Sequence, residues 1–463
     1  MAGRRLCAAL AVTLLALGCE QRPTGPANAI LITIDTLRAD HLGIDGYQRD
    51  TSPTLDALGR AGTWFPRCYA QSVTTRASHA SLFTGCYPRT HGVLANSETY
   101  PADRPSLMTA LHARGYATAG FVSSVVVNRK FGADRQFDHF DDEATTTELN
   151  RPSMAERPAR ATLDGVQRWL EQRDPAKPFF LWIHLIDPHG PYTAPTEPER
   201  YVGDAHAKPG QRVLQLGAGN AGFGEIPRYQ VLNDVRDPSY YVARYDAEIR
   251  YVDDALAGFF AKLKALGLYD RTLLVVTADH GETLDEPTHH RYFSHGLVAY
   301  EEDARIPLIV HEPAGTKRLA GADTQRPVLS IDVAPTMLDL LGVEIPAAFE
   351  GRSVVPAMRA ADDTLYSFGS YGTPLQEQRM GTQLSVRRGP WRYILNTIDG
   401  SEELYDHGSD PREAMNVAAA HPTELADLRR VVADFRAGKG TRNPESALSD
   451  DEREKLKALG YVR

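Results

Sequence analysis

Four stretches place acids and histidines directly after, or close to, short apolar runs. Asp35 follows residues 29–34, Asp187 and His189 follow 179–186, Asp279-His280-Gly281-Glu282 follows 273–277, and Ser294-His295-Gly296 lies a short loop further on. Carboxylate oxygens bring charge to a divalent cation, and imidazole adds a nitrogen donor suited to transition metals. One acid at a strand end more often caps a helix or bonds a loop, but four such elements in one chain point to a metal site. A fifth stretch, TTRASHASLFTG at residues 74–85, holds hydroxyls, Arg76 and His79 at the start of an expected helix, with Ser72 just before it. The chemical question it raises is which hydroxyl attacks, Ser72 or Thr75, the alternative being that both only cap the helix.

The elements that must position these groups are legible from periodicity. The runs 29–34, 179–186, 273–277 and 306–310 are nearly uninterrupted apolar segments, as expected of strands covered on both faces. Between 241 and 266, Val242, Tyr245, Ile249, Val252, Leu256, Phe259, Leu263 and Leu266 recur at helical spacing, with Gly267 where a left-handed C-cap is wanted. Ser52-Pro53 opens another helix. Such alternation predicts an α/β fold with a mainly parallel, doubly wound sheet and helices on both faces. Open sheets of this kind collect ligands beyond the carboxyl ends of their strands. Residues 194–238, rich in Pro, Gly and Ala, break the rhythm right after Asp187-Pro188-His189 and read as a pocket wall or lid.

After about residue 364 the pattern changes. Residues 383–387 and 391–395 bracket Arg388-Gly389-Pro390 as a β-hairpin, a helix is expected over 422–436, and Ser449 with Glu452 has capping-box spacing before a last short helix. The expected organisation is a signal peptide at 1–18, a tether at 19–28, a catalytic domain at 29–363, a small α+β subdomain with an antiparallel sheet at 364–440, and a tail at 441–463.

Composition narrows the class. With 42% hydrophobic and 24% charged residues the chain is an ordinary globular protein, and a net charge of −9 argues against a nucleic-acid partner. Arg4 and Arg5 precede an apolar run over 6–17 that is too short to span a bilayer and fits a secretory h-region. Ala16-Leu17-Gly18-Cys19 resembles a bacterial lipoprotein box, with Ala16 where Leu is usual. The expectation is an exported lipoprotein, periplasmic or at the cell surface, that meets the membrane only through a lipid on Cys19. Cys68 and Cys86 then remain, as a disulfide or as two free thiols.

The motifs ILITIDTLRADHLG, SPTLDALGRAGTWF, SHASLFTGCYPRTHGV, DPHGPY, VVTADHGE, HGLVAYEEDARIPLIV, SIDVAPTMLDLLG and ELYDHGSDPREAMNVA follow one another as in the sulfatase family of the alkaline phosphatase-like superfamily, which the chain resembles over nearly its whole length. The resemblance implies that Asp35, Asp279 and His280 hold a divalent metal ion, and that His189 and His295 contact the transferred group or protonate the leaving oxygen. It implies calcium, but Thr36 stands where many sulfatases have a second acid, so with His280 present manganese or zinc becomes a rival.

Sulfatases carry Cys-x-Pro-x-Arg or Ser-x-Pro-x-Arg, whose first residue is oxidised to formylglycine, with a Thr-Gly pair five residues after the Arg. Counting back from Thr84-Gly85 puts His79 at the Arg position, Ala77 at the Pro position and Thr75 at the nucleophile position. Ser72, four residues before Arg76, would need a three-residue insertion. Thr75 is therefore the expected nucleophile and a further metal contact, with His79 reaching toward the same group. A secondary alcohol cannot become the formylglycine aldehyde, so an ester formed on Thr75 must be broken at sulfur or phosphorus, as in superfamily phosphodiesterases and phosphoethanolamine transferases. The expected function is hydrolysis of sulfate or related phosphate esters on a small molecule, glycan or lipid headgroup, with no protein partner evident. The rivals are transfer of the group to a lipid or glycan, and a catalytically silent binding lipoprotein. His184 reads as a core histidine, and His289 and His290 as solvent-exposed.

Overall fold

A computed structural model describes residues 27–152, 154–205, 212–355, 366–369, 383–397 and 399–437. The signal peptide, Cys19, the tether as far as residue 26 and the tail with Ser449 and Glu452 lie outside the described residues. Asn28, expected in the tether, already belongs to the first strand.

The central sheet has strands β1 (Asn28–Ile34), β2 (Thr63–Trp64), β3 (Ala117–Phe121), β4 (His139–Asp141), β5 (Phe179–Leu185), β6 (Thr272–Ala278) and β7 (Leu308–His311), in the spatial order β2-β7-β6-β1-β5-β3-β4. Pairings from β6 through β1, β5 and β3 to β4 are parallel, whereas β7 runs antiparallel to both β6 and β2. The run expected over 306–310 as one strand is divided at Pro307: Ile306 pairs with Cys68 in a separate small sheet, and β7 begins at Leu308. Proline has no N–H to give a ladder, which is where such a run breaks.

Every residue of β1, β5 and β6 is buried, the reason these strands read as unbroken apolar runs. Helix α1 (Pro53–Ala61) packs on β7, and α3 (Ala159–Gln172) packs on β5 and on α4 (Pro238–Ala265). Asp237 caps α4 by accepting the Ser239 amide, Pro238 occupies its first turn, and Gly267 follows at φ +65° as expected of a left-handed terminator. Among the described residues no helix is long and apolar enough to cross a membrane. Cys68 and Cys86 are both buried free thiols rather than a disulfide.

The C-terminal subdomain is a four-stranded antiparallel sheet, Tyr366–Gly369, Gln383–Arg388, Trp391–Asn396 and Glu402–Asp406, with the helix Pro422–Ala437 laid on it through Leu428 and Val432. It docks on the larger domain through a buried charge network. Arg392 lies 2.9 Å from Glu301 and 3.1 Å from Glu413, and His407 lies 2.7 Å from Glu413. Glu301, His407 and Glu413 come close enough to hold a cation, but the Arg392 guanidinium already supplies that charge. The expectation that His289 is exposed also fails. Its imidazole pairs with Glu302 at 2.7 Å and stacks on Tyr300 at 3.7 Å, while His290 is exposed as expected.

Candidate active site

β1 and β6 are adjacent parallel strands, so the residues following each emerge side by side at the sheet's carboxyl edge. Asp35 and Asp279 are those residues, and both are buried. Gly281 lies so close to the backbone of Glu302 that an added Cβ would meet its carbonyl oxygen at 2.0 Å, which fixes glycine in the DHGE stretch. Asp35, Asp279 and His280 bring their ligand atoms within 4.8 Å of one another. The His280 Nδ1 atom lies 2.9 Å from the Gly281 carbonyl, and since a carbonyl only accepts, Nδ1 carries the proton. Nε2 is then a free lone pair, 3.5 Å from Asp279 Oδ2 and 3.9 Å from Asp35 Oδ1.

Helix α2 (Thr75–Thr84) brings the hydroxyl. Its start is tied to β6 by the Ser78 hydroxyl, which donates to the Asp279 carbonyl at 2.6 Å. Thr75, the first helical residue, is buried and holds Oγ1 3.5 Å from His280 Nε2. Ser72 is occupied locally, bonded to the Thr74 hydroxyl at 3.0 Å and accepting the Thr74 amide at 3.3 Å. The Arg76 guanidinium donates to the Glu98 and Val126 carbonyls, so it holds neighbouring loops.

His79 lies beside the cluster, Nδ1 3.8 Å from Asp279 Oδ2, but both of its nitrogens are already hydrogen-bonded elsewhere. Its Nδ1 donates to the Thr75 carbonyl at 2.7 Å and its Nε2 accepts from the Thr33 hydroxyl at 2.9 Å, which leaves no free nitrogen. Burial holds its imidazolium down at about 3. The helical i to i+4 spacing that suggested the approach instead turns His79 back onto the helix. Asp187 takes the bland role, its carboxylate accepting the Ala159 amide at the start of α3.

His189 and His295 meet beyond the cluster. Their ring centres are 4.9 Å apart, and that of His295 is 4.7 Å from His280. His189 Nδ1 donates to the Gly190 carbonyl at 2.8 Å, and His295 Nδ1 is paired with Glu282 at 2.9 Å. Burial lowers both imidazolium groups, His295 to about 4, so both rings are neutral at neutral pH. Two residues escaped the sequence reading as members of the site. Glu282, quoted within DHGE without a role, orients His295. Buried His184, which stands opposite Thr33 across the β1–β5 pairing, places Nε2 3.4 Å from Asp35 Oδ2. Of the segment 194–238, part of which lies outside the described residues, Tyr229 stands beside the His295 loop, its hydroxyl donating to the Phe293 carbonyl at 3.1 Å.

Whether a cation suits this site is answered by its orphaned atoms. Asp35 Oδ1 and Asp279 Oδ2 are buried with no hydrogen-bond partner, and burial pushes the Asp35 carboxyl up to about 7. Two unpartnered carboxylate oxygens in a dry site are costly unless a positive charge lies between them. Two carboxylates, one imidazole lone pair and a hydroxyl form a donor set for one divalent ion.

A doubly wound sheet that gathers these donors and a helix-terminal hydroxyl at its carboxyl edge defines an alkaline phosphatase-like ester hydrolase. The chain belongs to the sulfatase family: the family model Sulfatase matches residues 27–343, and the model N-sulphoglucosamine sulphohydrolase, C-terminal, matches 288–433. The N-acetylglucosamine-6-O-sulfatase of Bacteroides thetaiotaomicron is 23% identical over 86% of this chain and 84% of its own. The multifunctional alkaline phosphatase superfamily protein PehA of Trinickia caryophylli is 28% identical over 71% of this chain and 76% of its own. Among solved structures, BT4656 in complex with its substrate D-glucosamine-2-N,6-O-disulfate superposes with a TM-score of 0.72 at 20% identity, covering 89% of this chain and 98% of that one. The phosphonate monoester hydrolase SpPMH of Silicibacter pomeroyi gives 0.69 at 23% identity, covering 91% and 97%. The family is metal-dependent and its named members hydrolyse sulfate esters.

Proposed function

We propose that this protein hydrolyses sulfate esters, or related phosphate or phosphonate esters, borne on a saccharide or a comparable small molecule, with Thr75 as an unmodified nucleophile. The observation that carries the reading is the Thr75 hydroxyl 3.5 Å from His280 Nε2, beside the orphaned oxygens of Asp35 and Asp279. The saccharide preference rests on the sulfated sugar that the BT4656 structure holds. The phosphorus option rests on the phosphonate monoester hydrolase SpPMH and on an alcohol that cannot form the aldehyde.

A divalent ion held by Asp35, Asp279 and His280 would offset the negative charge of the transferred group's oxygens. Manganese or zinc suits this N,O donor set better than calcium, since Thr36 removes one carboxylate. The protein's own groups move the protons. In the first half-reaction the Thr75 hydroxyl proton passes to a neutral imidazole, His189 or His295, as Oγ1 bonds to sulfur or phosphorus. The bond from that atom to the ester oxygen breaks, and the departing oxygen takes the proton from the imidazolium. Water then attacks the same atom and gives a proton to the imidazole. Thr75 Oγ1 leaves, recovers that proton, and inorganic sulfate or phosphate departs. The positive end of α2 favours the anionic intermediate.

The test is turnover of aryl sulfate, phosphate monoester, phosphodiester and phosphonate by Thr75→Ala and Thr75→Ser variants, with a mass measurement of the peptide containing Thr75. Thr75→Ala should lose at least about 10³-fold in kcat, Thr75→Ser should keep part of it, and the peptide should have the unmodified mass. Wild-type turnover by Thr75→Ala would overturn the assignment. Export and lipidation at Cys19 are part of the same proposal, supported by Arg4, Arg5 and the apolar run over 6–17. Cys19→Ala should move the protein from the membrane fraction to the soluble one.

A further inference from the structure

The groups at the carboxyl edge are linked by successive contacts that start at Thr75. His280 Nε2 lies 3.5 Å from the Thr75 hydroxyl, the His295 ring is 4.7 Å from that of His280, and the His189 ring is 4.9 Å from that of His295. Next to His189 comes Gly190, whose carbonyl accepts from Arg151 Nη2 at 3.2 Å. Arg151 and His189 thus share the Gly190 carbonyl as acceptor, which puts the guanidinium next to that imidazole. In the reading given above the leaving oxygen takes its proton from His189 or His295, so the alcohol lies on the side of those imidazoles, where Arg151 is.

The side chain is built into that position. It is buried, its guanidinium carbon lies 4.1 Å over the Tyr229 ring from the 194–238 wall, and its Nε is paired with Glu148. Nη1 makes no hydrogen bond among the described residues, so one face of a held cation is free to donate. Its charge is felt at His189, His295 and Glu282, the groups on the leaving side. A planar guanidinium fixed by stacking and by one carboxylate loses little freedom on binding a second anion.

We infer that Arg151 is a specificity-determining residue that selects substrates whose leaving alcohol carries a second anionic group, a carboxylate or a further sulfate or phosphate. The inference rests on the reading of the site given above and adds the class of substrate it takes. Glu148 tempers the site, because its own charge opposes a second anion.

The measurement uses the metal-loaded protein and two pairs of probes: 4-nitrophenyl sulfate and phosphate, each against its 3-carboxy counterpart. The expected wild type prefers the carboxylated ester in kcat/KM. Arg151→Met should lower kcat/KM for the carboxylated ester on the order of 10- to 100-fold, mostly through KM, and change the plain ester by less than about 3-fold. Arg151→Lys should restore part of the preference, and Glu148→Gln should strengthen it. The same preference is read as equilibrium binding in a Thr75→Ala background, where no turnover is needed. Equal effects of Arg151→Met on both esters, or a wild type without preference, would overturn the inference. If Arg151→Met does not fold, the preference in Arg151→Lys and Glu148→Gln decides. Turnover surviving in Thr75→Ala would instead sink the nucleophile and leave the Arg151 binding result standing.

Discussion

Asp279 Oδ1 accepts the Thr36 amide at 3.3 Å, a bond that joins the end of β1 to the end of β6 through the carboxylate whose other oxygen is orphaned. Thr36 makes it from φ +57°, a left-handed backbone that a β-branched residue rarely adopts, and its own hydroxyl is buried without a partner. Such strain persists where the surroundings over-determine it, commonly at sites of function.

Thr36 therefore separates strain from charge. Asp and Asn tolerate the left-handed region better than threonine. Thr36→Asn should raise the thermal midpoint of the metal-free protein, corresponding to about 1 kcal/mol, because it relieves the backbone without adding charge. Thr36→Asp adds the second acid and should tighten calcium binding by at least about 10-fold, read by calorimetry. Unchanged calcium affinity in Thr36→Asp would show that residue 36 does not face the cation.

The orphaned oxygens predict opposite effects of one substitution with and without metal. In the metal-free protein Asp35→Asn removes a buried charge that burial already disfavours, so thermal stability should rise. Added divalent ion should stabilise the wild type, by about 2.7 kcal/mol at 100 times its dissociation constant, and should stabilise Asp35→Asn far less. Scanning the thermal midpoint of both proteins with chelator and with manganese, zinc and calcium checks the sign and identifies the ion. Equal stabilisation of the two proteins would remove Asp35 from the ligand set.

His289 gives a pH dependence distant from the cluster. Burial alone would lower its imidazolium, but the hydrogen bond and charge of Glu302 outweigh it and hold the group at about 9 rather than 6.5. A histidine raised on folding adds stability that is complete below about 6.5 and disappears as pH rises through about 9. The difference in unfolding free energy between wild type and His289→Gln should be at most about 3 kcal/mol at pH 6 and should close by pH 10. A gap that widens toward alkaline pH would contradict the pairing.

Much of this was legible in the sequence because its signals are local. Unbroken apolar runs identified the strands buried on both faces, and position just after those runs identified Asp35, Asp279, His280 and His189. What stayed hidden depends on long-range register. His184 looks like one polar interruption in a buried strand, and only the pairing of β1 with β5 brings it to Asp35. Arg151 follows no apolar run and carries no motif, so nothing local marks it. His79 erred the other way: its spacing from Thr75 was right, but spacing does not say which atoms already have partners. Asp187 likewise sits at a strand end and caps a helix.

The contrast between His79 and His189 supplies a last test, since both lie near Thr75 in space or sequence and only one has a nitrogen to offer. His79 spends both nitrogens on the Thr75 carbonyl and the Thr33 hydroxyl, so His79→Leu removes one hydrogen bond from each of two buried groups, Thr33 Oγ1 keeping the Trp182 indole N–H at 3.0 Å. That should lower stability by about 2–5 kcal/mol, and folded molecules should lose activity only as far as the start of α2 shifts. His189 uses Nδ1 alone, so His189→Ala should leave metal content unchanged and lower kcat on the order of 10²- to 10⁴-fold. An ester whose leaving group needs no proton, such as 4-nitrophenyl sulfate or phosphate, should lose less than one with an alkyl alcohol. If the two esters lose equally, His189 does not protonate the leaving oxygen, and His295, held by Glu282 at 2.9 Å, becomes the group to substitute next.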